Sequence, residues 1–111
     1  MIHELKLQPE YFAAIKAGTK KIECRLFDEK RQQIKVGDTI VFKRAPDFTE
    51  EVLTVVTGLL RYPTFSALFM DFPPEIFGVS SIEILEEAIY KFYTKQDEAA
   101  YGVVGIQVEL A

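Results

Sequence analysis

The chain has 111 residues, 13 Lys or Arg against 17 Asp or Glu for a formal net charge of -4, and 49% apolar residues that include nine Phe and five Tyr but no Trp. A length of this order supports one hydrophobic core and is short for two, so a single domain over residues 1–111 is expected, and the apolar content excludes a disordered tail. No apolar run nears the roughly 20 residues that span a bilayer, and no basic region followed by an apolar one opens the chain, so an unexported, cytoplasmic protein is expected.

Cys24 is the only cysteine. It has no second thiol to pair with and belongs to no metal-ligand set, so no disulfide, metal or cofactor is expected. Charge is divided unevenly: residues 1–44 hold ten Lys or Arg and six Asp or Glu, whereas residues 45–111 hold three and eleven. A local basic surface of this kind steers an anionic ligand even on an acidic protein.

In chain order, His3, Leu5 and Leu7 alternate with Glu4 and Lys6 as a strand with its odd positions inward. His3, the only histidine, has no catalytic or ligand partner at a recognisable spacing and reads as a hydrogen-bonded core residue. Pro9 suits the first turn of a helix, Phe12 and Ile15 make its apolar contact, and Gly18 suits the left-handed stop. Ile22, Cys24 and Leu26 then alternate with Lys21, Glu23 and Arg25, giving a strand with one apolar and one charged face.

Phe27 to Gln33 is a polar connection, and Val36-Gly37-Asp38 is a turn into a strand over Thr39–Lys43. Lys43 and Arg44 end that strand. Val52 to Tyr62 is a long β-branched and aliphatic run in which Gly58 marks a bulge or bend, the curvature a closing sheet requires. Arg61 and Tyr62 follow the bend.

Thr64 caps a short helix bearing Phe65, Leu68 and Phe69, ended by Pro73 and Pro74; the aromatics read as core, with base stacking by Tyr62 or Phe65 as the alternative. Glu75 to Val79 is irregular and suits one wall of a cleft. Ser80 and Glu83 make a capping box, and Ile82, Leu85, Ile89 and Phe92 form a helical stripe whose early glutamates suit the helix dipole and need no metal. Thr94 caps a last helix that Gly102 stops, and Val104, Ile106, Val108 and Leu110 alternate in the final strand.

Gly18, Lys20, Glu23 and Arg25 form a Gly-x-Lys-x-x-Glu-x-Arg pattern. In it the chain resembles the ASCH domain family, in particular its small stand-alone bacterial members, and the likeness runs from His3 through Gly37-Asp38 to Tyr101-Gly102. The resemblance implies an α+β, PUA-like fold: a small β-barrel, mixed or antiparallel, flanked by two to four helices. It also implies binding of RNA or of a nucleotide-like small molecule, which the charged stretch would take in a cationic cleft; from the composition, no metal or membrane partner is expected.

On that footing Lys20, Glu23 and Arg25 are the central ligand-binding residues, joined by Lys21 and Lys43 at the basic rim and by Arg61 and Tyr62 at the barrel mouth. Glu23, set between cations, would be ionised and act as an acceptor, while Arg25 offers a planar fork and Lys20 a point charge. The alternative is a hydrolase in which Lys20 and Glu23 are catalytic, either on an acylated cytidine or as a ribonuclease. The deacylating branch of the family, however, has a threonine where this chain has Glu23. A third reading is a protein-interaction module whose charged strand is a solvated ion-pair lattice. The first two require the three charged side chains to converge in a concave niche open to water.

Overall fold

The computed structural model describes residues 1–111. Five strands, β1 (Ile2–Leu7), β2 (Ile22–Leu26), β3 (Thr39–Arg44), β4 (Glu51–Tyr62) and β5 (Val103–Leu110), form one sheet in the order β1-β3-β4-β5-β2. β1 runs parallel to β3 and the other neighbours are antiparallel. The sheet curls into a half-barrel and is flanked by four helices, as expected of the PUA-like α+β fold. No helix is long and apolar enough to cross a membrane.

Curvature enters at the expected glycine. The register of β4 with β5 shifts between Val56 and Gly58, and a Cβ at Gly58 would run into the Gln107 side chain. β1 and β2 are the two edges of the sheet, and the Arg25 side chain spans them, donating from Nη2 to the Lys6 carbonyl at 2.8 Å.

Side-chain alternation divides the interior into two cores. The concave face carries Leu5, Leu7, Phe42, Val56, Ile106 and Val108, and α1 (Pro9–Ala17) adds Phe12 and Ile15. The opposite face of β2 and β5 packs Ile22, Cys24, Leu26 and Val103 against Phe65, Leu68 and Phe69 of α2 (Phe65–Met70), Phe77 and Leu85. Bare backbone at Gly105 permits this approach, since a Cβ there would lie 3.1 Å from Leu68 and 3.2 Å from Ile22. α3 (Ile82–Ile89) and α4 (Lys95–Tyr101) complete the helical layer.

Local signals explain where most helices begin and end. Thr64 accepts from the Ala67 N–H at 3.1 Å, Thr94 accepts from the Asp97 N–H at 3.0 Å, and Gly18 adopts φ +81°. Two expectations for α3 need correction. Ser81, not Ser80, is the cap, accepting from the Ile84 N–H at 3.4 Å; Glu83 then falls one residue short of the position that would close a capping box. The helix also ends at Ile89, so the 3.6-residue period no longer governs Phe92, which is 68% exposed. His3 bonds Asp38 at 2.8 Å, and Asp38 also accepts from the Lys35 N–H, so the histidine serves the turn before β3.

Candidate ligand-binding site

The turn that ends α1 delivers Lys20. The amides of Thr19 and Lys20 both reach the Ala14 carbonyl at 3.1 Å, which folds the chain under the helix and turns the Lys20 side chain inward, leaving it 4% exposed. Its ammonium donates to the Ile22 carbonyl at 2.8 Å and to the Phe77 carbonyl at 2.9 Å, and meets Glu23 Oε1 at 3.1 Å. An ammonium has three protons to give, and these three acceptors account for them.

β2 presents Glu23 and Arg25 to the concave side. They stand opposite Ile106 and Val104, which belong to the concave core, whereas Cys24 stands opposite Gly105. Glu23 Oε2 receives the Arg25 Nε–H at 2.7 Å and lies 2.7 Å from Nη2. With Nη2 also bonded to the Lys6 carbonyl, Nη1 is the guanidinium nitrogen free of Glu23 and Lys6, and Tyr93 lies beside the group.

Burial alone would push the Glu23 carboxyl up. The Arg25 guanidinium and the Lys20 ammonium outweigh it and hold the group below the usual carboxylate range. Glu23 is therefore ionised at neutral pH. Burial would likewise lower Arg25, but Glu23 and then Tyr93 raise it, so the guanidinium stays charged. Burial pushes the neighbouring Cys24 thiol up to about 12, so it is neutral.

These groups line a cavity of about 460 Å³ together with Tyr11, Phe48, Leu85, Ile89, Phe92 and Tyr93. The Lys20 ammonium lies 5.4 Å from the Tyr11 ring centroid, and Lys6 lies 4.8 Å from that of Phe48. A buried charged group of net charge +1 is thus enclosed by aromatic and aliphatic walls. Such a site accepts a flat, largely apolar guest that carries hydrogen-bonding groups on one edge.

Of the residues picked out in the sequence, Lys20, Glu23 and Arg25 converge here. Lys21, Lys43, Arg61 and Tyr62 do not line the cavity. Lys21 is exposed at the start of β2; Lys43 pairs with Glu4 at 3.0 Å; Arg61 lies 3.4 Å over the Phe27 ring; the Tyr62 hydroxyl donates to Asp71 at 2.6 Å. Phe65 is fully buried, stacked on Tyr93 at 5.6 Å, and offers no face to a base. Segment 75–79 is neither irregular nor a wall of the cavity: Pro74–Phe77 is a 3-10 turn whose Ile76 carbonyl accepts from the Lys21 N–H and whose Phe77 carbonyl accepts from the Lys20 ammonium.

The aromatic walls have no short-range signature in the sequence. Tyr11 sits beside the core residue Phe12 and showed no signal of its own. Leu85, Ile89 and Phe92 were visible as one stripe, but a stripe does not reveal that part of it borders empty space. No group of three or more His, Cys, Asp or Glu side chains is arranged to hold a metal ion.

The family model of the ASCH domain matches residues 5–111. The chain is 41% identical to the hypothetical protein PH0355, with a TM-score of 0.87 and 100% of both chains covered. Protein PF0455 from Pyrococcus furiosus is 38% identical, with a TM-score of 0.78 over 99% of this chain and 97% of that one. An ASCH domain from Lactobacillus crispatus shares the fold at 16% identity, with a TM-score of 0.69 over 97% of this chain and 79% of its own. No curated protein matches the chain.

Proposed function

The chain belongs to the ASCH domain family, and from that premise we propose that the cavity over Lys20, Glu23 and Arg25 binds a nucleoside or nucleotide, either free or splayed out of a single RNA strand. One observation carries the reading: Glu23 is an ionised acceptor, 6% exposed, paired with a guanidinium at the floor of an aromatic-walled cavity. A base edge supplies the donors and acceptors that such a floor satisfies, and its faces suit the Tyr11, Phe92 and Tyr93 walls.

A single nucleotide suits the site better than a long strand. The cations outside the cavity are occupied or scattered, with Lys43 held by Glu4 and Arg61 laid on Phe27, so they form no track for a phosphate backbone. Hydrolysis draws less support than binding. Lys20 has its protons committed to Ile22, Phe77 and Glu23, and Glu23, held below the usual carboxylate range, is a weak base near neutral pH.

Calorimetric titration with nucleosides, nucleotides and short single-stranded RNA tests the proposal. A nucleoside or nucleotide should bind with shallow salt dependence, and Arg25→Met should weaken it by about tenfold or more, as expected when a charged hydrogen bond is lost. Absence of binding by all three ligand classes at millimolar concentration would overturn the reading in favour of an interaction module. Turnover of an acylated cytidine that disappears in both Lys20→Ala and Glu23→Gln would instead establish the hydrolase.

A further inference from the structure

β2 is the last strand of the sheet, so one side of its backbone has no neighbouring strand. The bonds at its ends fix which residues face that side. The Lys21 carbonyl accepts from the Val108 N–H at 2.9 Å, and the Phe27 N–H donates to the Gly102 carbonyl at 3.0 Å. With Glu23 opposite Ile106 and Arg25 opposite Val104, the odd residues are the hydrogen-bonded pairs. Ile22, Cys24 and Leu26 consequently direct their N–H and C=O groups away from β5.

The Ile22 carbonyl is taken by the Lys20 ammonium. Across the seam, the outward carbonyl of Lys6 on β1 is taken by Arg25. Between these two capped positions lies Cys24, whose outward N–H and C=O meet no partner within the chain. Cys24 is 4% exposed and lines the cavity, and it also belongs to the helix-covered core. Cys24 is thus where the open edge of the strand meets the cavity, and its main-chain donor and acceptor are left to water or to a guest there.

We infer that the main chain of Cys24 is the recognition edge of the site. Its N–H donates to an acceptor of the ligand, a ring nitrogen or an exocyclic carbonyl, and its C=O accepts from a ring or exocyclic N–H directly beside that acceptor, as an added strand would bond a sheet edge. The guest is a flat ring with a donor next to an acceptor, which is the Watson–Crick edge of a nucleobase. Glu23 and Arg25, one residue to either side, bracket that edge from the concave face. This inference deepens the nucleoside reading and rests on it.

The test uses the full chain, amide-resolved NMR, and two ligand sets: the four ribonucleosides, and 3-methyluridine, 3-methylcytidine, 1-methyladenosine and 1-methylguanosine, in which a methyl group blocks that edge. The expected result is that the Cys24 amide shifts and exchanges more slowly on binding, while the edge-methylated form of the bound nucleoside is weaker by about tenfold or more. Cys24→Pro, which removes the outward N–H without costing a ladder bond because an edge strand tolerates proline there, should weaken the parent nucleoside similarly.

If methylated and parent nucleosides bind equally, with Arg25→Met still weakening both and the Cys24 amide unmoved, the recognition edge is overturned while the nucleoside reading stands. If no nucleoside binds at all, both fall together. The ligand comparison on the unaltered chain decides the matter even if Cys24→Pro does not fold.

Discussion

Both faces of β2 are withdrawn from solvent, yet different forces hold them. Ile22, Cys24 and Leu26 are buried against the helical layer, where area removed from water is the stabilising term. Glu23 and Arg25 are nearly as withdrawn on the concave side, where each ion is tolerated only because the other and Lys20 are there. The first face depends on volume and the second on complete partnership. A strand can thus carry core and site at once, provided the charged face closes its own network.

The largest test is on the helix-covered face. Phe65 contacts Phe69, Tyr90 and Tyr93 and is fully buried, so Phe65→Ala should cost about 3–5 kcal/mol by urea denaturation. On the charged face, Glu23→Ala leaves two buried cations unpaired and should cost about 3 kcal/mol or more, whereas the triple variant Lys20→Met, Glu23→Leu and Arg25→Met, which removes every ion of the group, should recover much of that loss. Equal destabilisation by the single and triple variants would show that volume, not partnership, holds this face.

Acid and alkali should separate the two faces. The folded pKa of Glu23 lies below its ordinary 4.5, so its stabilisation is present above that value and lost as pH falls through the lower folded value. Asp38 acts likewise, its contribution fading from 3.8 towards about 2. Cys24 is raised from 9.0 to about 12, so its contribution is present below 9.0 and lost as pH rises towards 12. Glu23→Gln should flatten the acid limb of stability against pH and Cys24→Ala the alkaline limb, and the reverse assignment would contradict the burial described above.

Smaller effects lie outside both faces. Thr64→Ala, which removes the cap of α2, should cost about 1 kcal/mol in the same denaturation assay. The 2.8 Å pair of Lys16 and Glu50 lies on the surface, so Lys16→Ala should leave the thermal midpoint unchanged within error.

Legibility followed the range of the physical signal. The alternation at 22–26 and 104–108, the bend at Gly58 and the caps at Thr64 and Thr94 are encoded within a few residues, and the fold places them where the residues indicate, whereas Leu110 at the strand end is exposed. Ser81 replaced Ser80 as cap because two adjacent serines offer the same hydroxyl, and packing of Leu85 selects the helical phase. Phe92 lies off the stripe because α3 ends at Ile89, before the helical repeat reaches it.

The residues themselves therefore specify the strand with two unlike faces, and with it the cluster Lys20, Glu23 and Arg25, because side-chain alternation is a property of the local backbone. Which atoms complete the cluster was settled only by folding. Lys20 finds the Phe77 carbonyl 57 positions away, and Arg25 reaches across the seam to Lys6. The cavity is bounded by α1, the segment before β4, and the end of α3, which no short-range pattern brings together. Enclosed space belongs to no one segment; it is what remains when several have packed.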